Sequence, residues 1–433
     1  MRFAILTLGC KVNQYESQAL EQAGVLRGHE LCDASDAAGL DAYIVNTCTV
    51  TAVSDQKNRQ LIRRLRREHP GAALAVCGCF PQTHPGAAEE LGADLVCGTG
   101  DRNGFWDALE GVLAEEKGRI VTRVDNALQR REFEELPAGG LSGRTRALLK
   151  VEDGCCNFCS YCILPYARGP VRSLPLEKAA AQAAKLADEG FLEVVVNGIE
   201  ISSWGQDLPG KPKLIDLLEA LSHAAPQVRL RLGSLEPRTI DEDFCQRAAV
   251  LQNLCPHFHL SLQSGCDKTL KAMNRKYDSA RYLRSVELLR KSFDDPGITT
   301  DLIVGFPGET GDDFQESLDF VMICGFSALH IFPYSRRPGT PADKLPGQVS
   351  TAEKKRRAAQ AAQVAERLRL SYWQRQIGKT FPVLFEEEKD GLWQGHAPNY
   401  VAVRAKGKGL HNRVRLTHIT GVDGEALLGE IGE

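Results

Sequence analysis

The sequence predicts an α/β protein in three parts: a doubly wound parallel sheet, a six-unit partial β/α barrel and a small β-barrel. Apolar runs of strand length alternate with helical patterns between residues 2 and 115, the order of a parallel sheet covered on both faces. A second alternating series with six strand-like runs starts at residue 146. It fits an incomplete barrel with ligands at the C-terminal strand ends. From residue 374 the chain turns to short, evenly spaced strands rich in Gly and basic residues, the pattern of a small barrel. The expected parts are 1–135, 140–372 with a trailing basic helix, and 374–433.

Taken in order, the first strands are 2–8 (RFAILTL), 42–47 (AYIVNT), 73–78 (ALAVCG) and 94–97 (DLVC), with helices at 16–27, 56–68, 86–91 and 103–115. Residues 116–145 are a polar, Gly- and Pro-containing connection. The second series has strands at 146–151, 193–198, 229–234, 258–263, 299–305 and 329–334, separated by segments such as LEKAAAQAAKLADEG and DDFQESLDFVMIC. Residues 352–377 form a long basic helix, and FPVLFEEEKDG, YVAVRAKGKG, NRVRLTHITGV and ALLGEI supply the terminal strands.

Hydrophobic residues make up 43% of the 433 and charged residues 25%, an ordinary soluble balance. The net charge of −3 gives no global basic field, so any RNA contact must come from local patches. No run of about 18 apolar residues suggests a membrane span. The start, MRFAILTLGCKVNQ, lacks the regions of a secretory signal, and a cytoplasmic setting is the expectation. In that setting 14 cysteines are better explained as metal ligands or catalytic thiols than as disulfides. Cys32, Cys97, Cys245, Cys255 and Cys324 sit in apolar or mixed surroundings and read as inert core thiols.

The strongest signal is VEDGCCNFCSYCILPYARGP, directly after a predicted strand. Cys155, Cys159 and Cys162 are spaced CxxxCxxC. Three thiolates can hold three irons of a [4Fe–4S] cube, leaving the fourth open to a small molecule. Tyr161, Ile163 and Leu164 help exclude water. By spacing alone, Cys156, Cys159 and Cys162 also read as a ferredoxin-like CxxCxxC. A zinc site would want a fourth ligand that does not follow at finger spacing. Polar groups and glycines end the later strands: Gly198 and Glu200, then Ser234 and Glu236, then Gln263.

Cys10, Cys48 and Cys79 each stand just after a separate N-terminal strand, in TLGCKVNQ, VNTCTVT and VCGCFPQ. The C-terminal strand ends of an open parallel sheet converge on one edge, so three cysteines distant in sequence are expected to meet as a second cluster site. Cys77 is left as a buried bystander. Asn13, Asn46, Thr47 and Gln82 are candidate hydrogen-bond donors to sulfur.

CxxxCxxC at the end of the first barrel strand resembles the signature of the radical S-adenosylmethionine superfamily. That resemblance implies that the open iron chelates the cofactor's amino and carboxylate groups, and that an electron from the cluster releases a 5′-deoxyadenosyl radical. It also implies cofactor contacts for Tyr161, Gly198, Glu200, Ser234, Glu236 and Gln263. The two three-cysteine sets in this order, followed by HLSLQSG, MNRKY, TDLIVGFPGET, HIFPYSRRPGTPA and a small barrel, resemble the methylthiotransferase family over essentially the whole chain. The implied parts are an auxiliary-cluster domain, a radical domain and a terminal TRAM domain. The implied cofactors are two [4Fe–4S] clusters and S-adenosylmethionine, serving as methyl donor and radical source. The implied partners are tRNA, an electron donor such as flavodoxin or ferredoxin, and a sulfur donor.

LGCKVNQYES resembles the branch acting on N6-threonylcarbamoyladenosine (adenosine-37) beside the anticodon. The isopentenyladenosine branch tends toward GCQMN and the ribosomal-protein branch toward GCPKN. Both remain alternative substrates on the sequence alone. Relatives commonly have Asn where this chain has Cys156, which leaves a spare thiol.

For RNA, Arg404, Lys406, Lys408, Arg413 and Arg415 form a run without acids in the terminal strands. Such residues contact phosphates without reading sequence. Two further clusters, Lys57–Arg67 and Lys354–Arg357, read equally well as solvated helix faces. Trp393, Tyr400 and His411 could stack on bases or pack the barrel core. A two-cluster electron carrier and a zinc-dependent RNA-binding protein are the competing functional classes; a carrier needs neither the six-strand barrel nor the terminal domain.

Overall fold

A computed structural model describes residues 1–36, 39–114, 120–138 and 145–432. Its first part runs β1 (Arg2–Thr7), α1 (Lys11–Leu26), β2 (Glu30–Leu31), β3 (Ala42–Thr47), α2 (Ala52–Glu68), β4 (Ala73–Gly78), α3 (Cys79–Thr83), α4 (Pro85–Glu90), β5 (Leu95–Cys97), α5 (Phe105–Ala114) and β6 (Val121–Arg123). The strands form one six-stranded parallel sheet in the order β2-β1-β3-β4-β5-β6. β3 and β4 are buried at every residue, as the unbroken apolar runs require when helices cover both faces. Phe3, Ile44, Ala75 and Trp106 pack one face, and Val45, Ile62, Val76 and Phe80 the other.

Two short edge strands, β2 and β6, lie where the sequence predicts only connections. Neither has the length or apolar content to mark a strand without its neighbour. The first helix begins at Lys11 rather than 16. Its first turns bury Asn13, Glu16 and Ser17, and buried polar residues hide the helical period. The expected junction near residue 140 falls largely outside the described residues.

The middle part runs β7 (Arg146–Lys150), β8 (Glu152–Asp153), α6 (Leu164–Arg168), β9 (Arg172–Ser173), α7 (Leu176–Asp188), β10 (Glu193–Asn197), α8 (Leu214–Ala224), β11 (Arg229–Leu232), β12 (Ser234–Leu235), α9 (Glu242–Ala249), β13 (His257–Gln263), α10 (Asp267–Ala272), α11 (Ser279–Ser292), β14 (Gly297–Val304), α12 (Gly311–Cys324) and β15 (Ala328–Pro333). All six expected strands are present. The third is divided at Gly233, so the wall consists of two parallel arcs, β11-β10-β7 and β12-β13-β14-β15.

The long helix α13 (Thr351–Gln374) leads into a closed barrel of β16 (Thr380–Lys389), β17 (Leu392–His396), β18 (Ala402–Ala405), β19 (Arg413–Asp423) and β20 (Ala426–Ile431), ordered β16-β17-β18-β20-β19. β17 (LWQGH) is the strand that the sequence pattern does not show, its five residues being interrupted by Gly395. This barrel docks on the middle part through buried Arg231, which pairs with Glu193 at 2.7 Å and donates to the carbonyls of Pro398 at 2.9 Å and Ala397 at 3.3 Å. No helix among the described residues is long and apolar enough to cross a membrane.

Candidate active site

β1, β3 and β4 are adjacent and in register, Thr7 beside Asn46 and Thr47 beside Gly78. Their outgoing loops therefore carry Cys10, Cys48 and Cys79 to one edge. The approach is tight: a Cβ on Gly9, whose φ is +131°, would lie 2.8 Å from Cys48 Cβ, so only glycine fits. Cys48 and Cys79 are buried and Cys10 is exposed. Burial pushes the Cys79 thiol up to about 12, partly offset by the Arg168 guanidinium, while Cys48 and Cys10 push it further up. Three thiols close enough to sense one another form a donor set of the kind a cubane cluster takes.

The polar neighbours act differently from expectation. Asn13 Nδ2 donates to Asn46 Oδ1 at 3.1 Å and to the Thr47 carbonyl at 2.9 Å. Its Oδ1 accepts from the Cys10 thiol at 3.2 Å. Asn46 donates to the Asn13 carbonyl, Thr47 to the Cys77 carbonyl and Gln82 to the Asp125 carbonyl. These side chains tie the start of α1 to the end of β3, β3 to β4, and α3 to the loop at Asp125, and none of the four donates to sulfur among the described residues. Cys77 is fully buried, as expected.

The second set lies in the loop between β8 and α6. Cys155, Cys159 and Cys162 interact electrostatically with one another, and burial pushes the Cys162 thiol up to about 12. Cys156 is exposed. The Asn157 amide points at Cys155 Sγ at 3.5 Å, and Arg275 Nη1 donates to Cys159 Sγ at 3.1 Å. Arg275 also donates to Tyr277 Oη at 2.9 Å and stacks over that ring. It sits close enough to Tyr161 and Glu200 to act on both. Nothing in the sequence singles it out except its place in MNRKY. A guanidinium donating to one of three thiols suits an anionic cluster, whose sulfurs accept hydrogen bonds.

Of the residues expected at the cofactor, Tyr161 lies in this loop and Glu200 acts on Cys155. A Cβ on Gly198 would fall 2.7 Å from Glu152 Oε2, and the same oxygen accepts from the Glu200 amide at 2.7 Å. Burial raises the Glu200 carboxyl to about 7, against the pull of Arg275, with Glu236 adding to the rise. Ser202 Oγ accepts from the Glu236 amide at 2.8 Å. Gln263 is buried in the left-handed region at φ 70°. Buried Asn197 has neither amide atom hydrogen-bonded, an uncommon condition that suits a site awaiting a polar ligand.

Gly198 and Ser234 share a cavity of about 680 Å³ with Cys10, Lys11, Tyr400 and the lumen faces of β13–β15. The two cysteine sets meet across a buried ionic network. Glu16 of α1 accepts from Arg168 through both oxygens, from Lys150 at 3.1 Å and from Arg102 at 3.3 Å. Asp153 holds Lys150 at 2.7 Å and Arg172 at 3.3 Å. Arg168 Nε is buried without a partner, and its charge acts on Cys79 and Cys48, as an anionic cluster at Cys10, Cys48 and Cys79 would require.

On the terminal barrel, Lys406, Lys408, Arg413 and Arg415 are exposed with no ion pair among the described residues. Arg404 differs, lying half-buried 3.8 Å from Asp423; the acid comes from β19, outside the run. Arg66 is tied to Asp94 and Arg357 to Glu309, so both basic helices spend part of their charge on the fold. Trp393 is core, Tyr400 turns inward against His257, and His411 is exposed. Cys97, Cys245, Cys255 and Cys324 are buried thiols, whereas Cys32 is only partly covered at the sheet edge.

Residues 149–321 match the Radical SAM superfamily, and residues 2–98 match the uncharacterized protein family UPF0004. The fold resembles the radical S-adenosylmethionine methyltransferase TsrM from Kitasatospora setae (TM-score 0.58, 18% identity, 79% of this chain and 74% of that one). The threonylcarbamoyladenosine tRNA methylthiotransferase MtaB of Bacillus subtilis is 36% identical over 93% of this chain and 90% of its own length. That of Chlamydia pneumoniae is 36% identical over 99% and 98%. The tRNA-2-methylthio-N(6)-dimethylallyladenosine synthase of Pelotomaculum thermopropionicum is 33% identical over 97% of each chain. With Cys10 and the strand ends at Gly198 and Ser234 lining one cavity, and with this identity along nearly its whole length, the chain belongs to the radical S-adenosylmethionine tRNA methylthiotransferase family.

Proposed function

We propose that this chain attaches a methylthio group to C2 of N6-threonylcarbamoyladenosine (adenosine-37), beside the anticodon of tRNA. The observation that carries the reading is the cavity that has Cys10 on one wall and the strand ends Gly198 and Ser234 on another. Cys10 belongs to one cysteine set, and Glu200, two residues beyond Gly198, acts on Cys155 of the other. In this reading Cys155, Cys159 and Cys162 hold one [4Fe–4S] cluster with an iron left for S-adenosylmethionine, and Cys10, Cys48 and Cys79 hold the second. Bound together, cofactor and clusters supply a radical able to break an unactivated C–H bond, a sulfur and a methyl group.

The chain's own residues bind, orient and shield. Asn197 offers its unpartnered amide, and Gly198 lets the backbone come close to the cofactor. Glu200, Glu236, Ser234 and Gln263 present polar groups to its amine, ribose and base. Tyr161 and Arg275 close the cluster side. Lys406, Lys408, Arg413 and Arg415, with a smaller part for Arg404, meet tRNA phosphates. Residues 1–135, 140–372 and 374–433 act as auxiliary-cluster, radical and TRAM units. A cytoplasmic setting, an electron donor such as flavodoxin or ferredoxin, and a separate sulfur donor complete the reading. The test is nucleoside mass spectrometry of tRNA from cells lacking the gene. Threonylcarbamoyladenosine should lose its 2-methylthio group while isopentenyladenosine derivatives stay unchanged; loss from the isopentenyl nucleoside instead would overturn the substrate.

A further inference from the structure

Three strands place an unassigned group of polar side chains on the cavity wall opposite Gly198. Side chains two apart on a strand share a face, so His257 and His259 of β13, Thr299 and Asp301 of β14, and His330 of β15 all line the lumen. The register sets His259 beside Thr299 and Asp301 beside His330. His259 Nδ1 meets Thr299 Oγ1 at 2.9 Å and Nε2 meets Asp301 Oδ2 at 3.3 Å, which fixes the ring. His330 lies 5.8 Å from His259 between ring centroids, and its imidazole makes no hydrogen bond among the described residues. Lys11 follows Cys10 into the same cavity. Its ammonium has no hydrogen bond or ion pair among the described residues, and it shares that cavity's lining with His257 and His330.

Resting on the methylthiolation reading, we infer that Lys11 and the His259–Asp301–His330 group form the specificity pocket for the N6 substituent. Lys11 receives the threonyl carboxylate, and the imidazoles and Asp301 take its hydroxyl and urea. The chemistry fits in both directions. Threonylcarbamoyl brings one negative charge, donors and acceptors to a wall that has a free cation and a free imidazole. An isopentenyl group would cover the same groups with hydrocarbon and leave them unpaired, the kind of mismatch by which a hydrogen-bonding site rejects an analogue strongly. The ligand atoms of His259, Asp301 and His330 also lie within 4.8 Å of one another, close enough for a divalent ion. The neighbouring Lys11 ammonium disfavours a second cation, and His259 Nε2 is already engaged by Asp301.

The experiment compares anticodon stem–loops carrying threonylcarbamoyladenosine, isopentenyladenosine or plain adenosine, in single-turnover methylthiolation and in binding, with the cluster-loaded protein. Wild type should prefer the threonylcarbamoyl stem–loop over both others by about 100-fold or more. Lys11→Gln and His330→Ala should each cut that ratio at least about tenfold, and His330→Asn, which keeps hydrogen-bonding atoms, should restore part of it. Iron content and a thermal melt establish that each variant is loaded and folded. Variants that keep the wild-type ratio overturn the pocket while leaving the proposed function standing. A wild type that prefers the isopentenyl stem–loop overturns both. One equivalent of a non-iron divalent metal, lost in His330→Ala, replaces the pocket by a metal site.

Discussion

Glu16→Gln tests whether the ionic network beneath the two cysteine sets joins the first and middle parts of the chain. Glu16 is fully buried and touches Arg168, Lys150 and Arg102. Burial alone would raise its carboxyl, but those three cations hold it at about 2. The amide keeps the shape and removes the charge, leaving Asp153 as the remaining carboxylate of the network against four buried cations. Breaking a buried pair on one side costs about 3–5 kcal/mol. For parts of this size that lowers the melting temperature by roughly 6–20 °C. The pH dependence has a definite sign. The folded carboxyl lies below its ordinary 4.5, so its stabilisation is complete above that value and drains away as pH falls toward 2. Calorimetry of wild type and variant at neutral pH and across the acid range measures both effects, and the difference between them should shrink on acidification. A variant melting within about 1 °C of wild type at neutral pH, or a gap that widens with acid, would refute the argument.

The cysteine sets should separate in function: replacing Cys155, Cys159 and Cys162 with Ala should abolish 5′-deoxyadenosine formation and keep about half the iron. The Cys10, Cys48 and Cys79 triple variant should still cleave the cofactor but make no methylthio product, and full product after loss of its iron would remove that set from the mechanism. Arg275→Leu should lower cofactor cleavage about 10–100-fold because Cys159 is left without its hydrogen-bond donor, measured as 5′-deoxyadenosine per iron; unchanged cleavage would make Arg275 a packing residue. Neutralising Lys406, Lys408, Arg413 and Arg415 should flatten the salt dependence of tRNA binding by about 0.7–0.9 log unit for each phosphate no longer neutralised. Arg404→Gln, which removes a cation already beside Asp423, should change the slope less.

Much of this was legible because the site is written at strand ends. β1, β3 and β4 are apolar runs that announce themselves, and each is followed within three residues by Cys10, Cys48 or Cys79; parallel topology then supplies the convergence. What spacing could not give were partners drawn from far along the chain. Arg275 reaches Cys159 across 116 residues and Arg168 reaches Glu16 across 152. A buried arginine in a sequence looks the same as a solvated one. The lumen histidines were hidden for a related reason: His257 and His259 read as an alternating strand, and only closure of the wall brings β15's His330 to the same face. Asn13 and Thr47 lie beside Cys10 and Cys48, but backbone carbonyls of α1, β3 and β4 take the donors of Asn13, Asn46 and Thr47.

The short helix α6 explains how two cysteine sets on separate folds are held at a set separation. It starts two residues after Cys162 and ends at Arg168, so about 7.5 Å of helix axis leads from the CxxxCxxC loop to the guanidinium beside Cys79. The helix is pinned at its far end twice over. Ala167's carbonyl accepts from Thr99 Oγ1 at 2.6 Å, and Arg168 is locked by Glu16 and Asp153. A flexible linker between the sets would let their separation drift, and reaction between two bound partners loses rate steeply when alignment slips by about 1 Å. Here the same buried charges that join the two parts also face the thiols: Arg168 acts on Cys79 while it holds Glu16. Domain docking and the electrostatics around Cys48 and Cys79 are therefore one structural feature, and a substitution in the network that loosens the first also alters the second.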